Sequence, residues 1–291
     1  SEELELWYDS SSLSESSVSS DTAASELVSS DTTASELESL EESPMHPLTE
    51  TTAIIAITII NNDNMNIYYD FNKLFTYPFL LAFVIGERGV GKTYGAIKFA
   101  IKDFLKNGHQ FVYVRRYATE LETSVPKFFD AIIENNEFPD VEFKIKRSKK
   151  LTIFYINGKE AGYALPLSTA MILKSTSFAK VKNIIFDEFI IDKGTYHYLG
   201  GIKEVESFLD LIETIGRLRD IRVFCLGNAL TITNPYFIYF NLTLPYGSEF
   251  KTFKNGLIVV NYIKNEEYRK VKKQSRFGQL IAGTDYGKYA I

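Results

Sequence analysis

The sequence predicts an α/β fold with a central, mostly parallel β-sheet flanked by helices, and three observations carry that prediction. From Met65 onward, apolar β-rich runs alternate with stretches of helical spacing, the order that a parallel sheet with crossover helices requires. Gly86-Glu87-Arg88-Gly89-Val90-Gly91-Lys92-Thr93 matches the pattern G-x-x-x-x-G-K-S/T, preceded by the apolar run Phe79–Ile85 and followed by helix-patterned Tyr94–Leu105. A later apolar run, Asn183–Phe186, ends in the two acids Asp187-Glu188.

In order, Phe79–Ile85 reads as a buried strand, and Ile97, Ala100, Ile101 and Phe104 space the helix that follows the glycines. Phe111–Val114 is a second buried strand, ending in Arg115-Arg116. A helix is expected over Val125–Asn135. Val141–Ile145 and Leu151–Ile156 then read as a hairpin around a basic connection, Lys146–Lys150. Further strands are expected at Gly162–Leu167, Lys182–Phe186, Val223–Leu226 and Gly256–Ile263, with an amphipathic helix over Glu204–Leu218. The resulting domains are 1–64, an acidic Ser/Thr-rich extension; 65–264, a folded α/β domain; and 265–291, a basic C-terminal linker segment.

The extension is set apart by charge. Residues 1–64 hold 14 acids and no Lys or Arg, which leaves 23 of the 37 acids with all 32 bases in the rest of the chain. The net charge of −5 therefore hides a basic body, a balance that suits a polyanionic partner, a bound nucleotide or an ordinary lysine-rich surface. Ser19–Leu27 and Ser29–Leu37 are tandem copies with too little apolar content to offset the entropy of ordering, so disorder is expected there. One cysteine, Cys225, excludes a disulfide framework. No apolar run approaches the roughly 18 residues of a membrane-spanning helix. The first basic residue is Lys73, unlike a signal peptide. A soluble, intracellular protein is expected.

The glycine motif carries the chemistry. Its glycines let backbone N–H groups point inward at phosphate oxygens, and the helix N-terminus adds partial positive charge. Lys92 supplies a mobile full charge, and the Thr93 hydroxyl can ligate Mg²⁺. Gly86 to Thr93, with Glu87, Arg88 and Val90 between the glycines, is thus a candidate nucleotide-phosphate cradle of P-loop type. In such a sheet Asp187 would hold Mg²⁺ and Glu188 would polarise the attacking water. Two readings of Arg217 and Arg219 stand: cations that complement the helix C-terminus, or a finger offered to a neighbouring subunit's phosphate. Asn228, after Val223–Gly227, reads either as a sensor amide or as a turn residue. Arg88 can reach phosphate, Glu188 or solvent. The basic clusters Lys144–Lys150 and Arg269–Arg276 suit a solvated face as well as nucleic acid. The three histidines (His46, His109, His197) and the one cysteine make no metal-ligand cluster.

Taken together, Phe83–Thr93, Phe111–Tyr117, Ile185–Ile190, Cys225–Ala229, Asn234–Phe237, Arg276–Gly278 and Gly283–Gly287 resemble the phi29-like bacteriophage DNA-packaging ATPases in order and spacing. The resemblance spans about residues 65–291. It implies an ASCE/RecA-like P-loop NTPase that hydrolyses ATP with Mg²⁺ and, as a homo-oligomeric ring, drives viral double-stranded DNA into a preformed capsid. It implies Glu188 as catalytic base, Arg217 as an arginine finger acting in trans, Lys174 as a second basic residue acting across the subunit interface, and a sensor role for Asn228. Expected partners are double-stranded DNA, the capsid portal and, by family analogy, a packaging RNA, with no membrane. The expected location is the host cytoplasm, at the procapsid. Residues 1–64 have no counterpart in the family, and the second, nuclease-like domain of its members is expected to be absent. A small-molecule kinase and a non-motor nucleotide-dependent assembly module are the alternatives; the acid pair Asp187-Glu188 argues against the kinase, whose phosphoryl acceptor is not water.

Overall fold

The apolar run before the glycine motif forms strand β1 (Leu81–Gly86), with every residue buried, in a computed structural model of the chain. The residues described are 68–147, 151–173, 177–191, 197–229, 233–284 and 287. The acidic extension and Lys174 lie outside them. Helix α1 (Lys92–Asn107) starts inside the glycine motif and ends at Gly108, whose φ of 71° closes the last turn in the left-handed conformation. Strand β2 (Gln110–Arg115) follows, buried throughout.

A helix not expected from the sequence, α2 (Ala118–Ser124), comes next, and the helix expected over Val125–Asn135 is instead a 3-10 turn at Val125–Lys127 and a short α3 (Asp130–Glu134). Pro126 has no N–H, so the α2 ladder cannot run through it. The apolar spacing still serves its purpose, because Val125, Phe128, Phe129 and Ile132 are all buried on the sheet.

Strands β3 (Phe143–Arg147), β4 (Thr152–Ile156) and β5 (Lys159–Pro166) form an antiparallel ribbon. It continues the sheet through the parallel pairing of β5 with β2. Strand β6 (Val181–Asp187) ends in the first of the two acids. Helix α4 (Ile202–Gly216) is shorter at its end than the spacing suggests, because Arg217 turns to a φ of 50° and ends the helix. Strand β7 (Arg222–Asn228), helix α5 (Pro235–Phe240) and strands β8 (Phe250–Phe253) and β9 (Ile258–Tyr262) complete the sheet. The stretch after residue 264 carries helices α6 (Glu266–Gln274) and α7 (Arg276–Ile281).

The strand order is β3-β4-β5-β2-β6-β7-β1-β9-β8, parallel from β5 to β9 and antiparallel at both ends. Both faces are covered, which is why the inner strands read as unbroken apolar runs. Leu81, Phe83 and Ile85 of β1 join Phe186 and Phe208 in one core layer, while Ala82 and Val84 face Ile97, Ala100 and Ile101 of α1 in the other.

An aromatic stack fastens the antiparallel ribbon to this second layer. Phe154 of β4 is fully buried, with ring centroids 4.2 Å from Phe128, 5.5 Å from Phe129 and 5.6 Å from Phe111. Phe154→Ala should lower unfolding free energy by about 3–5 kcal/mol in a denaturant titration. A loss below about 1 kcal/mol would show that the stack collapses onto the gap rather than holding it open.

Candidate active site

The glycine motif becomes a cradle because two of its residues adopt backbone angles that side chains resist: Gly89 has φ of 85° and Gly91 of 92°. The chain upstream pins the cradle through Tyr69 N–H to the Val90 carbonyl, 2.9 Å. Helix α6 pins it from the other side. The Tyr268 hydroxyl donates to the Arg88 carbonyl at 3.3 Å, and Arg269 pairs with Glu87.

The sheet then delivers the acids. Strand β7 lies between β1 and β6, so Gly86 is paired with Asn228 and Leu226 with Asp187. Their ends open on one cavity of about 300 Å³, lined among others by Gly91, Lys92, Thr93, Asp187, Glu188 and Asn228. The Thr93 hydroxyl donates to Asp187 Oδ1 at 2.9 Å. Lys92 Nζ donates to the carbonyls of Gly86 (3.1 Å) and Glu87 (2.7 Å) and to Asn228 Oδ1 (3.3 Å). Arg88 is exposed.

Glu188 is held by Arg115 rather than Arg88. Arg115 Nη2 donates to Glu188 Oε2 at 2.6 Å, while Nη1 reaches Asp187 Oδ2 at 3.3 Å. One guanidinium therefore orients both acids. Tyr113, from the same strand, donates its hydroxyl to Asp187 Oδ2 at 3.0 Å. The two carboxylates differ in surroundings: the Asp187 side chain is 9% exposed and that of Glu188 49%. Burial pushes the Asp187 carboxyl above its usual range; Arg115 pulls against this and the Glu188 charge adds to it. The roles of Arg115 and Tyr113 were missed in the sequence. The available signal was Arg115-Arg116 at the end of a buried strand, where solvated residues are not expected.

Arg217 is not at this cavity. Helix α4 carries Glu204 in its first turn, tied through Arg116 to the Phe189 carbonyl just past the end of β6, and its 15 residues run roughly 22 Å back toward the start of β6. There Arg219 donates to the carbonyls of Phe178 (2.9 Å), Ala179 (2.7 Å) and Val181 (2.8 Å), fastening the helix end to the start of β6. Arg217 is exposed, and its guanidinium has no hydrogen bond or ion pair among the described residues.

The family model for the Podovirus DNA encapsidation protein (Gp16) matches residues 63–291. The chain belongs to this family. The DNA packaging proteins of Bacillus phage phi29 and Bacillus phage B103 are similar at 38% identity over 227 residues and 40% over 219, matches that take in 78% and 75% of this chain. This chain spans 65% of the length of each. The fold is likewise similar to the crystal structure of the N-terminal domain of the DNA packaging ATPase from bacteriophage phi29. That match has a TM-score of 0.62 and 38% identity, and covers 69% of this chain and 98% of that one. The α/β P-loop fold expected from the sequence is thus the fold of a Gp16-family packaging ATPase domain, with β1, the cradle and α1 in the order the motif requires.

Proposed function

We propose that this chain is the ATP-hydrolysing subunit of a ring motor that moves viral double-stranded DNA into a preformed capsid. The observation that carries the reading is the 2.9 Å bond from Thr93 to Asp187, which joins the phosphate cradle to the acid pair in one cavity. Membership of the Gp16 family supplies the DNA-packaging context. The capsid portal and a packaging RNA are partners by the same analogy, and the host cytoplasm at the procapsid is the place of action.

The donor set suits Mg²⁺, which takes few protein ligands and prefers hard oxygens: a hydroxyl and a carboxylate, side by side. Thr93 and Asp187 would hold the ion, which neutralises charge on the phosphates when bound. The backbone of residues 88–92 and Lys92 bind the β- and γ-phosphates of ATP. A second cleft of about 560 Å³ shares Gly89, Gly91 and Tyr94 with the cavity and has room for the nucleoside. One Glu188 oxygen is engaged by Arg115, and the other is available to a water molecule. That oxygen takes the proton as the water oxygen attacks the γ-phosphorus and ADP departs. Asn228, beside Lys92, orients the γ-phosphate or the water. The neighbouring subunit's copy of Arg217 stabilises the charge that develops, with Lys174 as a second basic group at that interface.

The test is phosphate release measured with and without long double-stranded DNA. Stimulation supports the motor. Unstimulated transfer of the phosphoryl group to a small acceptor would instead reveal a kinase, and ATP binding with no turnover a nucleotide-dependent assembly module. DNA affinity should fall steeply with salt and show little base preference, since a motor must grip phosphates on any sequence. A protein that neutralises about six phosphates should lose roughly 10³-fold in affinity between 50 and 200 mM salt. Binding insensitive to salt over that range would contradict this.

A further inference from the structure

Arg115, the last residue of β2, and Arg116, which follows it, grip the same glutamate in different ways. Arg115 holds the side chain of Glu188, at the half-exposed mouth of the cavity. Arg116 points the other way, is 2% exposed, and holds the main chain: its Nη1 donates to the Glu188 carbonyl at 3.2 Å and Nη2 to the Phe189 carbonyl at 2.7 Å. Between the two grips, Glu188 has a φ of 56°, in the left-handed region that residues with a β-carbon avoid. Such a conformation persists only where the surroundings over-determine it.

Arg116 is itself fixed from the far side. Glu204, fully buried at the start of α4, takes Arg116 Nε on Oε2 at 2.9 Å and Nη2 on Oε1 at 3.0 Å. Its remaining lone pairs accept the Tyr236 hydroxyl at 2.7 Å and the Leu199 amide at 2.7 Å. The guanidinium also lies between the rings of Phe186 and Tyr198, 5.6 and 5.0 Å from their centroids. A buried ion pair of this kind adds little net stability, because desolvation offsets most of the attraction. Yet every donor named here has an acceptor, and two of those acceptors are the peptide groups that aim Glu188.

We propose that Arg116, locked by Glu204 and Tyr236, is a positioning residue for hydrolysis: it holds the Glu188 backbone so that the carboxylate meets the attacking water. The inference rests on Glu188 being the base. It predicts that Arg116 affects turnover and not nucleotide binding, since the bonds of Arg116, Glu204 and Tyr236 named above go to residues outside the cradle.

The test uses Arg116→Lys in the full chain. An ammonium keeps the charge opposite Glu204 but cannot fork to two carbonyls and two carboxylate oxygens at once. We expect nucleotide Kd within about 3-fold of native and kcat lower by at least about 10-fold, since a misplacement of about 1 Å costs on the order of 10² in rate. The decisive arm repeats the change in a Glu188→Gln background under single-turnover conditions. If Arg116 acts through Glu188, the residual rate changes by less than about 2-fold; a merely structural residue would slow both backgrounds alike. Native kcat in Arg116→Lys while Glu188→Gln is inactive overturns this inference and leaves the base assignment standing. Native turnover in Glu188→Gln overturns the base assignment instead. Should Arg116→Lys not fold, the apolar replacement Arg116→Met/Glu204→Met/Tyr236→Phe removes the grip without leaving a buried charge. Folded and slow supports the proposal; folded and native, or unfolded in both versions, overturns it.

Discussion

Arg217→Ala is expected to lower ATP hydrolysis by about 10³–10⁵-fold, the range measured for arginine fingers, while nucleotide binding stays within a few-fold of native. The expectation comes from where the residue sits. It follows the last turn of α4, exposed and without a partner among the described residues, across the sheet from its own cavity. A guanidinium does not lose its proton in proteins, so it assists only where negative charge develops and water is kept out. Among the described residues its own subunit's cavity, lined by Lys92, Thr93, Asp187 and Glu188, does not include it. The check is to mix Arg217→Ala subunits with Glu188→Gln subunits, each nearly inactive alone. If the finger acts across an interface, mixed rings contain sites with an intact Glu188 and a neighbour's intact Arg217, and activity partly returns. With mixed rings shown to form, no recovery would return Arg217 to the role its N–H already plays, closing the helix on the Glu213 carbonyl at 2.7 Å.

Glu188→Gln is expected to reduce turnover by about 10²-fold or more, which is what loss of a positioned general base costs. The amide keeps the size and can still accept from Arg115 through its oxygen, but it cannot take a proton from water. ATP binding, proposed to rest on the cradle and Lys92, should be unaffected. Equilibrium nucleotide binding together with single-turnover hydrolysis separates the two. Native turnover would remove Glu188 from the mechanism and leave Asp187 as the other acid that lines the cavity among the described residues.

What the sequence revealed and what it hid divide along a physical line. The cradle, its strand and its helix were legible because the motif and the apolar periodicity lie within one short stretch of chain. The acid pair was legible for the same reason, as the polar end of an apolar run. Arg115 was not, because its partners Asp187 and Glu188 are 72 and 73 residues away and only the β2–β6 pairing brings them together. The strand order was hidden too: nothing local says that β7 is inserted between β1 and β6. Other features rest on local signals. Asn157-Gly158, with φ of 49° and 72°, is a two-residue hairpin turn that the dipeptide alone announces, and it makes β5 begin earlier than expected. Pro126 was in plain view inside the stretch read as one helix.

The pairing of β1 also sets when this chain can become a nucleotide-binding protein. Leu81 is matched with Val223 on one side and Ile258 on the other, so the strand that carries the cradle leaves the ribosome long before either neighbour exists. At about 5–20 residues per second, the interval is on the order of ten seconds. Throughout it, an apolar strand with two unpaired edges has to avoid other chains, the circumstance in which nascent proteins lean on chaperones. Nucleotide binding is then an all-or-nothing event late in synthesis. Nascent chains stalled before residue 222 should not retain ATP, and those stalled once residue 262 is clear of the ribosome should.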